Sequence, residues 1–202
     1  MIAILDYGMG NVGSIQNILK YIGEDSIITA SPSEIIDADM LILPGVGAFD
    51  TGMKNLEEYN LVDAIHRHVH ENKPLLGICL GMQMLGRKSE EGILPGLGLI
   101  QMDTIRFQLP AEYKVPHMGW NRVSVVSNTP LTHDLPDNER YYFVHTFHVK
   151  CDWSSNVLMT CNYGKNFEAA VFSNNVYGVQ FHPEKSHEFG MRLLINFARL
   201  NQ

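Results

Sequence analysis

Short apolar runs at residues 1–5 (MIAIL), 40–43 (MLIL), 74–79 (PLLGIC) and 176–181 (VYGVQF) are the feature that most limits how this chain can fold. They lack the apolar–polar alternation of a strand with one wet face. Such runs read as strands covered on both sides. Between them lie segments with helical spacing. Residues 11–23 (NVGSIQNILKYIG) place Val12, Ile15, Ile18 and Leu19 on one face, and residues 61–73 (LVDAIHRHVHENK) and 186–200 (SHEFGMRLLINFARL) behave alike. A weaker strand is expected at 25–30 (DSIITA), with Ser33 as the cap of a short helix in 31–39, and a further helix at 80–90 (LGMQMLGRKSE).

Strand and helix alternating in this way predict an α/β fold: a three-layer, open, mostly parallel sheet. From about Gly96 to Phe172 the pattern changes. Alternating runs such as NRVSVVS and YYFVHTFHV, separated by Pro, Asn and Asp, predict antiparallel additions in the second half. No repeat, low-complexity segment or linker interrupts residues 1–202, so a single domain is expected.

A formal charge of −7 and the lack of a dense Lys/Arg run argue against an extended nucleic-acid surface. No apolar stretch approaches the roughly 20 residues that span a bilayer, and the opening MIAILDYGMG has no signal-peptide organisation. Cys79, Cys151 and Cys161 offer neither a disulfide framework nor a zinc-ligand spacing. They suit a reducing, cytoplasmic setting.

Cys79 stands in GICLG, residues 77–81, between an expected strand and an expected helix. This has the form of a nucleophile elbow, with Cys in place of Ser. A tight turn would lift the thiol to the carboxyl edge of the sheet, and the next helix would point its N-terminus at the sulfur, favouring thiolate. The alternative is a buried small hydrophobe between glycines that permit close packing. A nucleophile needs a base and the base an orienting group. His182 and Glu184, in VQFHPEKS, follow another expected strand and supply both if that strand is parallel to the one before Cys79. In the loop PGVGAF, residues 44–49, two glycines let backbone N–H groups turn inward, one of them to hold an oxyanion together with the Leu80 N–H; a phosphate-cradling loop or a plain turn is the alternative. PGVGAF lacks the Lys-Ser/Thr ending of a P-loop and the GxGxxG of a dinucleotide site.

GICLGMQ, PGVGAF and FHPEKS together resemble the class I glutamine amidotransferases. Nearly the whole chain, through LDYGMGN, EGILPGLGLI, KVPHMGWN, YYFVHTFH and YGVQFHPEKS, resembles one branch of them, the glutaminase subunits of imidazole glycerol phosphate synthase. The resemblance implies hydrolysis of L-glutamine to glutamate and ammonia by Cys79, His182 and Glu184. It implies oxyanion stabilisation by the strand at Gly45–Val46–Gly47, contact of Gln83 with bound glutamine, and backbone contacts from Thr146 and Phe147. It requires no metal and no organic cofactor. It implies a heterodimer with a synthase/cyclase subunit that receives the ammonia, with Tyr142 and Lys185 at the partner interface. Trp120 matches a position there too, or is a core tryptophan. FHPEKSHEFGM and the HVxC at 148–151 also resemble a paralogous branch that feeds a sugar amidotransferase in cell-surface sugar synthesis. The remaining alternatives are a free-standing cysteine hydrolase and a non-catalytic assembly subunit.

Several residues take plainer readings. Tyr163 and Tyr177 are expected to fill a strand face, Met82 and Met84 the core beside the elbow. His66, His68 and His70 are expected on a solvated helix face rather than around a metal, and Cys151 and Cys161 are expected to be inert.

Overall fold

The computed structural model describes residues 1–201. Its elements run β1 (Ile2–Leu5), α1 (Val12–Tyr21), β2 (Ser26–Thr29), α2 (Pro32–Asp37), β3 (Met40–Leu43), α3 (Phe49–Glu58), α4 (Val62–His70), β4 (Leu75–Ile78) and α5 (Leu80–Met84). They continue with β5 (Met102–Arg106), β6 (His117–Val125), β7 (Arg140–His145), β8 (Phe147–Cys151), β9 (Val157–Asn162), β10 (Asn166–Ser173), β11 (Val176–Val179) and α6 (His187–Ala198).

Among these residues the main sheet has the order β2-β1-β3-β4-β11-β10-β9-β6-β7, and β5 and β8 form a separate antiparallel pair. Strands β2 to β11 of that order pair in parallel. From β11 outward every pairing is antiparallel. β1, β3, β4 and β11 are buried along their whole length, as continuous apolar runs require.

Two cores lie on opposite faces of the sheet. On one, Ile15, Ile18 and Leu19 of α1 and Leu193, Leu194 and Phe197 of α6 pack with Ile2, Ile4 and Ile42. On the other, Ile35, Phe49, Met53, Leu56 and Ile65 of α2, α3 and α4 pack with Ala3, Leu5 and Leu43. These are the expected three layers.

Four local expectations are corrected. Helix α2 starts after Ser31, with Pro32 in its first turn, so Ser33 is inside the helix and is not its cap. Helix α3 was not expected; Gly52 and a polar composition obscure its apolar positions Phe49, Met53 and Leu56. The helix after Cys79 stops at Met84 rather than reaching Glu90. Its last carbonyls are taken by a returning segment: Leu97 N–H donates to Met84 O at 2.8 Å and Leu99 N–H to Leu85 O at 2.9 Å. The run YYFVHTFHV breaks at Thr146, where the chain leaves the main sheet as β7 and enters the small sheet as β8.

Candidate active site

β3, β4 and β11 are neighbours, parallel, and end at the same edge of the sheet. The chain therefore delivers three segments to one place. Gly45–Gly47 follow β3, Cys79 follows β4, and His182 and Glu184 follow β11. A single pocket is lined by Val46, Gly47, Cys79, Leu80, Gln83, Glu91, Thr146, Phe147 and His182, among others.

Cys79 has φ 56° and ψ −109°, a left-handed backbone that a residue with a Cβ adopts only under constraint. The constraint is visible on both sides. Cys79 N–H donates to Val179 O at 2.8 Å, tying the elbow to β11. A Cβ on Gly81 would lie 1.9 Å from Leu43 O, and one on Gly77 would lie 2.8 Å from the Gly81 backbone. The flanking glycines are required for α5 to start so close to β3 and β4. Close packing and the elbow are one feature, not alternatives.

His182 and Glu184 are 1% and 2% exposed at their side chains, and His182 Nδ1 lies 2.8 Å from Glu184 Oε1. Burial alone would lower the His182 pKa. The Cys79 sulfur and the Glu184 carboxylate close to the ring overcome that and push it up to about 10. His182 Nε2, on the far side of the ring from Glu184, has no hydrogen-bond partner among the described residues. The raised pKa favours the charged imidazole close to the sulfur, and Nε2 is left open towards a reacting group.

The loop expected to supply oxyanion donors, Gly45–Gly47, is oriented against that expectation. Leu80 N–H donates to Gly45 O at 3.3 Å, so a carbonyl occupies the donor that an oxyanion would need. Gly47 has φ 124°, outside the range of residues with a side chain, and Val46 is 48% exposed.

Gln83 is buried beneath the pocket; its Nε2 donates to Phe147 O at 3.2 Å and to Gln180 Oε1 at 3.0 Å. Thr146 and Phe147 line the pocket wall at the β7–β8 break. Trp120 is 43% exposed, which sets aside the core alternative, and stacks on His187 with planes 3° apart. Tyr142 lies edge-on to Trp120, and Lys185 Nζ is 5.8 Å from the Tyr142 ring centre. These three form one patch next to Glu184.

Some site residues carry no sequence signature. Tyr7 is buried; its hydroxyl donates to Pro44 O and lies next to Gly45, and burial together with the nearby Cys79 raises its pKa. Glu91 lines the pocket and its carboxylate accepts from Phe49 N–H at 2.9 Å. Gln180 is buried against the sulfur. DYGMGN, EGILPG and VQF contain them, yet nothing in their spacing assigns a role.

The plainer readings mostly stand. Met82 and Met84 are in the core and Tyr177 is buried on β11, whereas Tyr163 follows β9 and stacks on His117, a correction to the strand-face expectation. Burial pushes the Cys151 and Cys161 thiols up to about 12. His66 and His70 are exposed, but His68 is fully buried between Ile35 O and Pro74 O, a correction to the solvated-face expectation. Among the described residues no three His, Cys, Asp or Glu side chains are grouped to hold a metal, and no helix is long and apolar enough to cross a membrane.

Comparison with known proteins agrees with the geometry. The family model for class I glutamine amidotransferases matches residues 3–200. The chain is 54% identical to imidazole glycerol phosphate synthase subunit HisH 2 of Methanococcus maripaludis, over 98% of this chain and 99% of that one. It is 49% identical to the subunit HisH 2 of Pseudomonas aeruginosa, over 99% and 100%. Among solved structures, one described as a glutamine amidotransferase aligns with a TM-score of 0.77 at 21% identity, covering 99% of this chain and 98% of the other. PurLQS from Thermotoga maritima aligns with a TM-score of 0.75 at 19% identity, over 100% and 98%. The chain belongs to the class I glutamine amidotransferases, on the branch that holds the HisH subunits.

Proposed function

We propose that the chain acts as one catalytic unit that hydrolyses L-glutamine through Cys79, His182 and Glu184 and passes the ammonia to a synthase/cyclase subunit making imidazole glycerol phosphate. The observation that carries this reading is the elbow thiol and the buried His182–Glu184 pair meeting at the ends of two adjacent parallel strands.

Cys79 Sγ attacks the side-chain amide carbon, forming a tetrahedral intermediate. His182 Nε2 gives its proton to the departing nitrogen, and the C–N bond breaks to leave a γ-glutamyl thioester and ammonia. Water then attacks the thioester, with His182 taking its proton; the C–S bond breaks, glutamate leaves, and the Cys79 thiolate and protonated His182 are restored. Glu184 holds the imidazole in one orientation and stabilises its positive charge. Gln83 and the backbone at Thr146 and Phe147 position the substrate, and the Glu91 carboxylate suits its ammonium group.

Ammonia released into water is protonated and loses its nucleophilicity, so its exit must be covered. Trp120, Tyr142 and Lys185 provide the docking patch for the partner in a heterodimer, and a cytoplasmic setting suits its free thiols. In the undocked chain the Gly45 carbonyl faces Leu80 N–H; docking turns that peptide so that an N–H faces the oxyanion instead. A second acceptor, the sugar amidotransferase of the paralogous branch that the sequence also resembles, is kept as an outcome of the test.

The test is Cys79→Ala in complex with the cyclase subunit. Glutamine-dependent product formation is lost, whereas ammonium-dependent synthesis by the partner continues. Near-normal glutamine use by the variant contradicts the nucleophile assignment. Failure of the cyclase to bind, with ammonia accepted by a sugar amidotransferase, redirects the pathway.

A further inference from the structure

We propose that Gln180 is a positioning residue that holds the Cys79 sulfur by donating an amide N–H to it, and that Gln83 sets the direction of that amide. The inference rests on Cys79 being the nucleophile. Gln180 lies between Val179, the last residue of β11, and Phe181, and is fully buried. Its Nε2 is 3.7 Å from Cys79 Sγ.

The polarity of the contact follows from a chain of hydrogen bonds that ends on the backbone. Phe147 O can only accept. It lies 3.2 Å from Gln83 Nε2, so Gln83 must present its amino group there. The second N–H of that group is directed at the Gln180 side chain, 3.0 Å away, which must therefore present Oε1. Gln180 is left with its amino group towards the sulfur. Turning over either amide would set donor against donor or acceptor against acceptor in a buried site.

The arrangement places a neutral donor on the sulfur, separate from His182, whose Nε2 has no partner among the described residues. A donor fixed in this way favours the anionic sulfur and restrains its rotamer without supplying or removing a proton. It also links the nucleophile to the Phe147 carbonyl, on the wall that grips the substrate. His145 Nδ1, 2.8 Å from the same carbonyl, holds that anchor in place.

The readout is the rate of Cys79 alkylation by iodoacetamide at pH 8 in the complex with the synthase subunit, followed by mass spectrometry of the labelled peptide. Gln180→Glu keeps the shape and the acceptor for Gln83, and replaces only the donor. Gln180→Met removes the donor without adding charge. In either variant that retains the fold, alkylation of Cys79 falls at least ~10-fold, about 1.4 kcal/mol, and kcat falls in parallel while KM for glutamine stays within about 3-fold. Alkylation within two-fold of the unaltered protein, or a loss confined to KM, overturns the role of Gln180. Label on another cysteine in the unaltered protein overturns the nucleophile assignment and this proposal with it.

Discussion

At Cys79 the left-handed backbone, a conformation that costs on the order of 1–3 kcal/mol, is maintained by bonds and glycine contacts from three sides. Such a backbone at a thiol on a pocket wall suits the nucleophile role proposed for Cys79. The roles of its neighbours separate by mutation. His182→Asn removes the group that moves protons, and turnover falls by at least ~10³-fold; Glu184→Gln leaves the base in place and costs roughly 10–100-fold. Steady-state kinetics on the complex distinguish the two, and equal, mild losses contradict the assignment. The meeting of Cys79, His182 and Glu184 at one sheet edge is legible in sequence because each stands in a short pattern of fixed spacing after an apolar run. Gln180, Tyr7 and Glu91 were not, since their roles arise from proximity across the fold. His68 was misjudged because helical spacing places it on one side of α4 without revealing that α2 covers it.

At the scale of elements, the packing of α5 against the ends of β3 and β4 leaves no room for a side chain. Gly81→Ala drives a methyl group into the Leu43 carbonyl and should destabilise by roughly 3 kcal/mol or prevent folding. Denaturant unfolding measures it, and a change under ~0.5 kcal/mol contradicts the close approach. The strands β6, β7 and β8 carry a second measurable feature. Burial lowers His117 to about 4, His145 to about 3 and His148 to about 4. The unfolded chain takes up protons near pH 6.5 that the folded chain refuses, so the stability these neutral histidines bring is present above pH 6.5 and is lost as pH falls towards 4. His182 runs the other way: its raised pKa adds stability present below about 6.5 and lost as pH rises through about 10. Urea midpoints should therefore fall on both sides of neutrality, and a flat profile between pH 7 and 5 contradicts the buried, neutral cluster. The parallel strands were readable from continuous apolar runs. Helix α3 and the stop after Met84 were not, because Gly52 dilutes the helical pattern and the stop is imposed by residues 97–100 returning from later in the chain.

Over the whole molecule, the proposed function turns on two places: the Gly45–Gly47 loop, whose Gly45 carbonyl takes the Leu80 N–H, and the exposed patch of Trp120, Tyr142 and Lys185 beside Glu184, proposed as the docking surface. The isolated chain should hydrolyse glutamine slowly. Docking of the cyclase with its acceptor bound should raise turnover by at least ~100-fold, about 2.7 kcal/mol of barrier. Full activity in the lone chain contradicts a gate. Trp120→Ala or Lys185→Ala should weaken docking or coupling while the assembled complex still reacts at its thiol. The most direct measurement uses that thiol. The assembled complex is treated with an electrophilic glutamine analogue and its cysteine peptides are analysed by mass spectrometry, with and without excess glutamine. The proposed mechanism requires one equivalent of label on Cys79, blocked by glutamine, and none on Cys151 or Cys161. Label on either of those, or no protection of Cys79 by glutamine, contradicts it.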